Sequence, residues 1–152
     1  MFNKKSATLF LSSPLTIFSG SGLIIILDQA IKYKIRQSGG FYICNMGISF
    51  GTPVPPALFW LILGTFLMLG FLYIKHLQEN NSLTPLTTFA TSLILGGALA
   101  NGLDRLFFNC VIDFFSLGWT FLPLFNLADI VISLGSFLLL LAVLTKREFI
   151  SV

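Results

Sequence analysis

Charge is scarce in this chain. Nine lysines and arginines and six aspartates and glutamates serve 152 residues, and histidine occurs once. So little polar surface cannot cover a water-soluble domain of this size, which excludes soluble enzymes and soluble binding modules. The net charge is +3. The basic residues stand at the ends of apolar runs, as helix anchors, and form no patch interleaved with exposed aromatics, so no nucleic-acid partner is expected. Two cysteines and one histidine give no cluster at metal-ligand spacing. No serine is placed with a histidine or lysine as an activated nucleophile. No metal or other cofactor is expected. Internal repeats and low-complexity stretches are also lacking, and residues 1–152 read as a single domain.

What is abundant is apolar. Such residues make up 55% of the chain, with 17 phenylalanines. A helix needs about 20 of them to cross the hydrocarbon core. Four runs qualify: roughly Ala7 to Leu27, Pro56 to Ile74, Leu86 to Leu103 and Phe125 to Leu144. The expected fold is an all-α membrane protein of four transmembrane helices. The first run follows Lys4 and Lys5 and resembles a signal peptide. It leads into Asp28 and Gln29 rather than a small-residue cleavage site, so we read it as an uncleaved helix. Four crossings put both termini on one side with Lys4, Lys5, Lys75, Lys146 and Arg147. Lys32, Lys34, Arg36 and Arg105 lie opposite. That margin and the two leading lysines point to cytoplasmic termini.

A small extracytoplasmic, β-rich segment is expected between helices one and two, over Asp28 to Pro55. Lys32, Lys34 and Arg36 alternate with Ile31, Tyr33 and Ile35, as in a short interfacial strand or a helix lying in the headgroups. Gly39-Gly40 breaks that pattern. Phe41 to Cys44 reads as strand, Asn45-Met46-Gly47 as a turn, and Ile48 to Phe50 as the returning arm of a hairpin. Cys44 and Cys110 fall on the same outer side. We read them as two buried thiols, with a disulfide as the alternative.

The aspartates are four: Asp28, Asp104, Asp113 and Asp129. All lie near the outer ends of apolar runs. A carboxylate near lipid is costly and usually functional. Asp129 lies 17 residues before Lys146, about 25 Å of helix. Asp104 lies 19 residues after Pro85, about 28 Å. Both therefore stand at similar depth, and both end an N-x-x-D pattern: Asn101 to Asp104 and Asn126 to Asp129. Depth and pattern alone pair Asp104 with Asp129. Asn126, Asp129, Ser133 and Ser136 share one helical face. Ser92, Gly96, Ala100 and Asp104 form a small-residue stripe suited to close helix approach. Structural readings compete. Asp28 could end a helix, and Asp104 could pair with its neighbour Arg105. Asp113, set in Val111-Ile112-Asp113-Phe114-Phe115, should face something specific.

Five motifs in order resemble bacterial lipoprotein signal peptidase (signal peptidase II). They are Asp28-Gln29-Ala30-Ile31-Lys32, Asn45-Met46-Gly47-Ile48-Ser49-Phe50, Gly96-Gly97 through Asn101 to Asp104-Arg105, Val111-Ile112-Asp113-Phe114, and Phe125-Asn126-Leu127-Ala128-Asp129. Ala100 stands where the family usually has glycine, and the stretch from Asp28 to Asn45 is shorter than usual. The resemblance implies a catalytic pair of Asp113 and Asp129. It implies supporting or substrate-contacting roles for Asp28, Lys32, Asn45, Gly47, Asn101, Asp104, Arg105, Asn126 and Ala128. The implied activity is intramembrane aspartyl cleavage of a prolipoprotein, just before a cysteine that carries diacylglycerol. The implied setting is the outer face of the bacterial inner membrane. Implied partners are the lipidated substrate, membrane lipids and the family's cyclic peptide inhibitors. Two alternatives stand beside it: an inactive relative that binds lipidated signal peptides, and a small channel or transporter subunit.

Overall fold

The computed structural model describes residues 12–48, 52–80, 82–119 and 123–148. Lys4, Lys5, the start of the first apolar run and Ser49 to Gly51 lie outside them. Four helices are long and apolar enough to cross a membrane: α1 (Pro14–Gln37), α2 (Pro56–Glu79), α3 (Pro85–Phe108) and α4 (Leu127–Glu148). α2 and α3 contain the second and third runs expected from the sequence, and α1 and α4 hold the first from Pro14 and the fourth from Leu127 onward.

α1 is the main departure. Ser13 caps it, accepting from the Thr16 N–H at 3.3 Å, and Pro14 begins it. The helix then continues past Asp28 to Gln37, where Gly39 at φ +68° closes the turn. Neither an interfacial strand nor a separate headgroup helix forms at Lys32–Arg36. Asp28 does not end the helix either. It sits inside it with Lys32 one turn on, and both are fully buried. The polar residues that broke the apolar run face α3, not water.

α3 is the central helix. Thr84 and Thr87 form a capping box at its start, and Asn109 in the left-handed region ends it. Its small residues receive a neighbour on each side. A Cβ on Gly96 would stand 2.8 Å from Ile24 of α1, and one on Gly97 would stand 2.7 Å from the Ala128 carbonyl of α4. The small-residue stripe expected from the sequence thus seats α1, with Gly20 in turn against Ser92. The residue beside that stripe seats α4. On α4 the packed residues include Ala128 and Gly135, whose Cβ would meet the Ala90 carbonyl at 2.7 Å. Ser133 and Ser136 are exposed, so the serine face does not continue the protein-facing side below Asp129. Small residues, not polar ones, mark the interface. α2 touches α3 lightly, around Leu63 against Gly102, and most of its surface is exposed.

The segment between α1 and α2 is β-rich, as expected, and its small hairpin lies further along the chain than Phe41 to Phe50. β1 (Ile43–Asn45) pairs antiparallel with β4 (Val111–Asp113), in register Ile43 to Asp113, Cys44 to Ile112 and Asn45 to Val111. β2 (Gly47–Ile48) pairs with β3 (Thr52–Pro53). Cys44 and Cys110 are joined by a disulfide, with 5.4 Å between their Cα atoms. This corrects the reading of two separate thiols. After β4 the chain folds back through Phe115 paired with Phe125, which returns it to α4 beside Asp113.

Candidate active site

The C-terminal halves of α1 and α3, the start of α4 and strand β4 enclose two groups of carboxylates. The first is a buried ion triad. Lys32 Nζ lies 2.7 Å from Asp28 Oδ2 and 2.7 Å from Asp104 Oδ2, with all three side chains fully buried. Gln29 donates to Asp104 Oδ1 at 2.9 Å and to the Ala100 carbonyl at 3.1 Å. The remaining acceptor capacity is used on backbone. Asp104 accepts the Ile112 N–H at 3.1 Å, and Asp28 accepts the Ala128 N–H at 3.0 Å. Those are the residues just before Asp113 and Asp129, so the triad fixes the backbone on which both carboxylates ride. Asp104 is ion-paired with Lys32 from α1, not with the adjacent Arg105. It is fully buried and held by Lys32, Gln29 and the Ile112 N–H, which suits a structural role.

The second group is Asp113 and Asp129, and its described hydrogen-bond partners are neutral. Asn45 donates to Asp113 Oδ2 at 2.9 Å, and Asn126 donates to Asp113 Oδ1 at 2.7 Å. Asn101 donates to Asp129 Oδ1 at 2.8 Å. Asn126 and Asn101 are themselves bonded, at 3.2 Å, so an amide chain runs from one aspartate to the other. The F-N-x-A-D run has a local cause. Asn126 Oδ1 accepts the Asp129 N–H at 3.0 Å while Asp129 Oδ2 accepts the Asn126 N–H at 3.1 Å, a reciprocal cap at the start of α4. Ala128, between them, is fully buried, and its carbonyl lies where a Cβ on Gly97 would stand, so the glycine is what lets α4 approach.

Burial pushes the Asp113 carboxyl above the ordinary carboxylate range, and the nearby Asp129 charge adds to this. The amides of Asn45 and Asn126, and more distantly the Lys32 charge, pull the other way. Asp129 is half-buried, which leaves the pair reachable from one side.

Arg105 reaches over the pair from the end of α3. Its guanidinium donates to the Met46 carbonyl at 3.2 Å and to the Gly47 carbonyl, and it stacks on Phe59 with 4.4 Å to the ring centroid. Gly47 is buried, and its N–H is held by Asn45 Oδ1 at 2.9 Å. Arg105 therefore grips the outer segment that carries Asn45. The depth argument had paired Asp104 with Asp129. The structure instead sets Asp113 and Asp129 in one amide network and gives Asp104 to Lys32. Gln29 and the disulfide cysteines are the contributors that the sequence reading did not single out. Gln29 was legible as part of the D-Q-x-x-K run. The cysteine pairing was legible only as an alternative, from the two residues falling on the same side.

A family model described as Signal peptidase (SPase) II matches residues 21–145. The lipoprotein signal peptidase of Syntrophomonas wolfei is 39% identical over 143 residues, which cover 83% of this chain and 92% of that one. The lipoprotein signal peptidase of Halothermothrix orenii is 33% identical over 133 residues, 78% of this chain and 88% of that one. The fold is shared with a bacterial membrane enzyme solved by the in meso method at 2.3 Å. The TM-score is 0.74 and the identity 24%, over 88% of this chain and 90% of that chain.

Proposed function

The chain belongs to the signal peptidase II family, and from that premise we propose that Asp113 and Asp129 are the catalytic pair of an aspartyl endopeptidase. It removes signal peptides from prolipoproteins, which excludes the channel reading. One observation supports the aspartyl assignment above the rest. Of the four aspartates, only these two are bonded by neutral amides instead of being locked to a buried cation.

Two neighbouring carboxylates do not both ionise cheaply, so the pair shares a proton and titrates as a unit. Burial makes Asp113 the partner that holds it. Asp129 takes a proton from a water as its oxygen attacks the scissile carbonyl carbon. Asp113 gives its proton to the carbonyl oxygen, forming a gem-diol. Collapse breaks the C–N bond, the amide nitrogen leaves with the proton held by Asp129, and a diol proton returns to Asp113. The amides of Asn45, Asn101 and Asn126 hold both carboxyls in place without neutralising either.

The substrate is a prolipoprotein whose cysteine carries diacylglycerol, cut just before that cysteine. The lipid chains stay in the bilayer while the peptide reaches the pair at the outer face of the bacterial inner membrane. Both termini are then cytoplasmic. Exposed Phe115, Leu117 and Trp119 flank the approach and suit contact with membrane lipid. Cyclic peptides that inhibit the family would compete at the same opening. The test is cleavage of a lipidated prolipoprotein by purified protein in detergent. Wild type should cut it, and Asp113→Asn and Asp129→Asn should each lose about a thousandfold in rate while remaining folded. Turnover near wild type in either variant would end the aspartyl assignment.

A further inference from the structure

We propose that the Cys44–Cys110 disulfide is a positioning device for catalysis: it clamps β1 to β4 so that Asn45 stays on Asp113. The proposal rests on the reading of Asp113 as catalytic. The β1–β4 ladder has three residue pairs, and a two-stranded pair of this length is not stable alone. Side chains alternate across it. Cys44, Ile112 and Cys110 project to one face, and Asn45, Val111 and Asp113 to the other. On one face the strands are joined covalently, between Cys44 and Cys110. On the opposite face they are joined by the hydrogen bond from Asn45 to Asp113, 2.9 Å long. Both bonds cross the same strand pair diagonally, from adjacent residues of β1.

The remaining support for β1 comes from beyond its end, where Arg105 holds the Met46 and Gly47 carbonyls. The strand's other flank, Phe41 and Tyr42, is exposed. Without the disulfide, Asn45 is held by its Asx-type turn to Gly47, which moves with it. The chain between the cysteines spans 66 residues and includes α2 and α3. The crosslink therefore fixes one local pairing across a long excursion. Cys44 is exposed and Cys110 buried, so a dithiol can attack the Cys44 sulfur and release the Cys110 thiolate. The attached dithiol then cyclises and leaves both cysteines reduced.

The test is turnover of a lipidated prolipoprotein by folded wild type, before and after reduction with dithiothreitol, and by Cys44→Ser. Loss of the clamp should lower kcat about tenfold, the size of one hydrogen bond to a charged group, and shift KM less. The basic limb of the kcat–pH profile should move upward, because Asp113 must hold its proton and Asn45 no longer favours its ionised form. Reoxidation should restore wild type. Cys44→Ser should not respond to the reductant. In an Asn45→Ala background reduction should cause no further change in the pH profile. If reduction lowers only the melting temperature and leaves kcat and the profile unchanged, the clamp is merely structural and the proposal is wrong. Full additivity with Asn45→Ala would also overturn it. Asp113→Asn in the same assay separates the two failures: turnover in that variant refutes the catalytic reading itself.

Discussion

Two carboxylate groups, linked through Asn101, lie at one end of the bundle, and they are balanced in opposite ways. Asp28 and Asp104 face Lys32, a full positive charge in a site without water. Asp113 and Asp129 face three asparagine amides. A cation bonded to two carboxylates locks both in place and makes them structural. Neutral amides orient a carboxyl and leave its proton free to move. The first arrangement can hold a site together, and the second can perform acid–base chemistry. The comparison predicts that the two groups fail differently.

The largest effect should come from Lys32→Met. It strands two carboxylates with no counter-charge, at a cost of about 3–5 kcal/mol. A melting temperature in detergent close to wild type would show that the triad is not the structural member of the comparison. Replacing Asp28 and Asp104 by asparagine as well should recover part of the loss.

Arg105→Lys sharpens the comparison at the edge of the site. The guanidinium bonds two carbonyls and stacks on Phe59, a geometry an ammonium cannot reproduce. Turnover should fall about tenfold, one hydrogen bond's worth, with a smaller change in melting temperature. Arg105→Ala should also weaken binding of a cyclic peptide inhibitor. If Arg105→Lys matches wild type in rate and affinity, the side chain only anchors α3.

The smallest effect is on stability against pH. The folded protein holds Asp113 above its ordinary range, so it binds that proton more tightly than the unfolded chain does. Stability from this group is present at low pH and is lost as pH rises from the ordinary carboxylate value through the raised one. Asp113→Asn removes that loss. At neutral pH the inactive variant should melt no lower than wild type, and its stability should depend less on pH as the pH rises above the ordinary carboxylate value. A variant much less stable than wild type at neutral pH would mean that the Asp113 carboxylate is a structural group.

The four helices were legible because apolar runs of spanning length have one physical reading. The end of α1 was not. Lys32 looks like an interfacial charge until Asp104, 72 positions further along, arrives to neutralise it. The hairpin at Ile48 was inferred from local turn residues, whereas β1 takes its partner from beyond α3. Local rules do not see such distant pairings, and the same distance hid the disulfide. Ser133 and Ser136 misled because polarity was taken to mark the packed face, when the absence of a side chain at Gly135 marks it. The choice of Asp113 over Asp104 came from family likeness, and the residues' own pattern favoured the other.

Asn101 has a consequence best put in terms of connectivity. Its Oδ1 accepts from Lys32 at 3.1 Å and from Asn126 at 3.2 Å, and its Nδ2 donates to Asp129 at 2.8 Å. Drawn as a graph of the described side-chain bonds, the triad and the pair are two clusters sharing this single node. Deleting it severs every such edge between the clusters and also breaks the amide chain from Asp113 to Asp129, so any signal from the buried cation to the reacting carboxylates that travels by side chains crosses one amide.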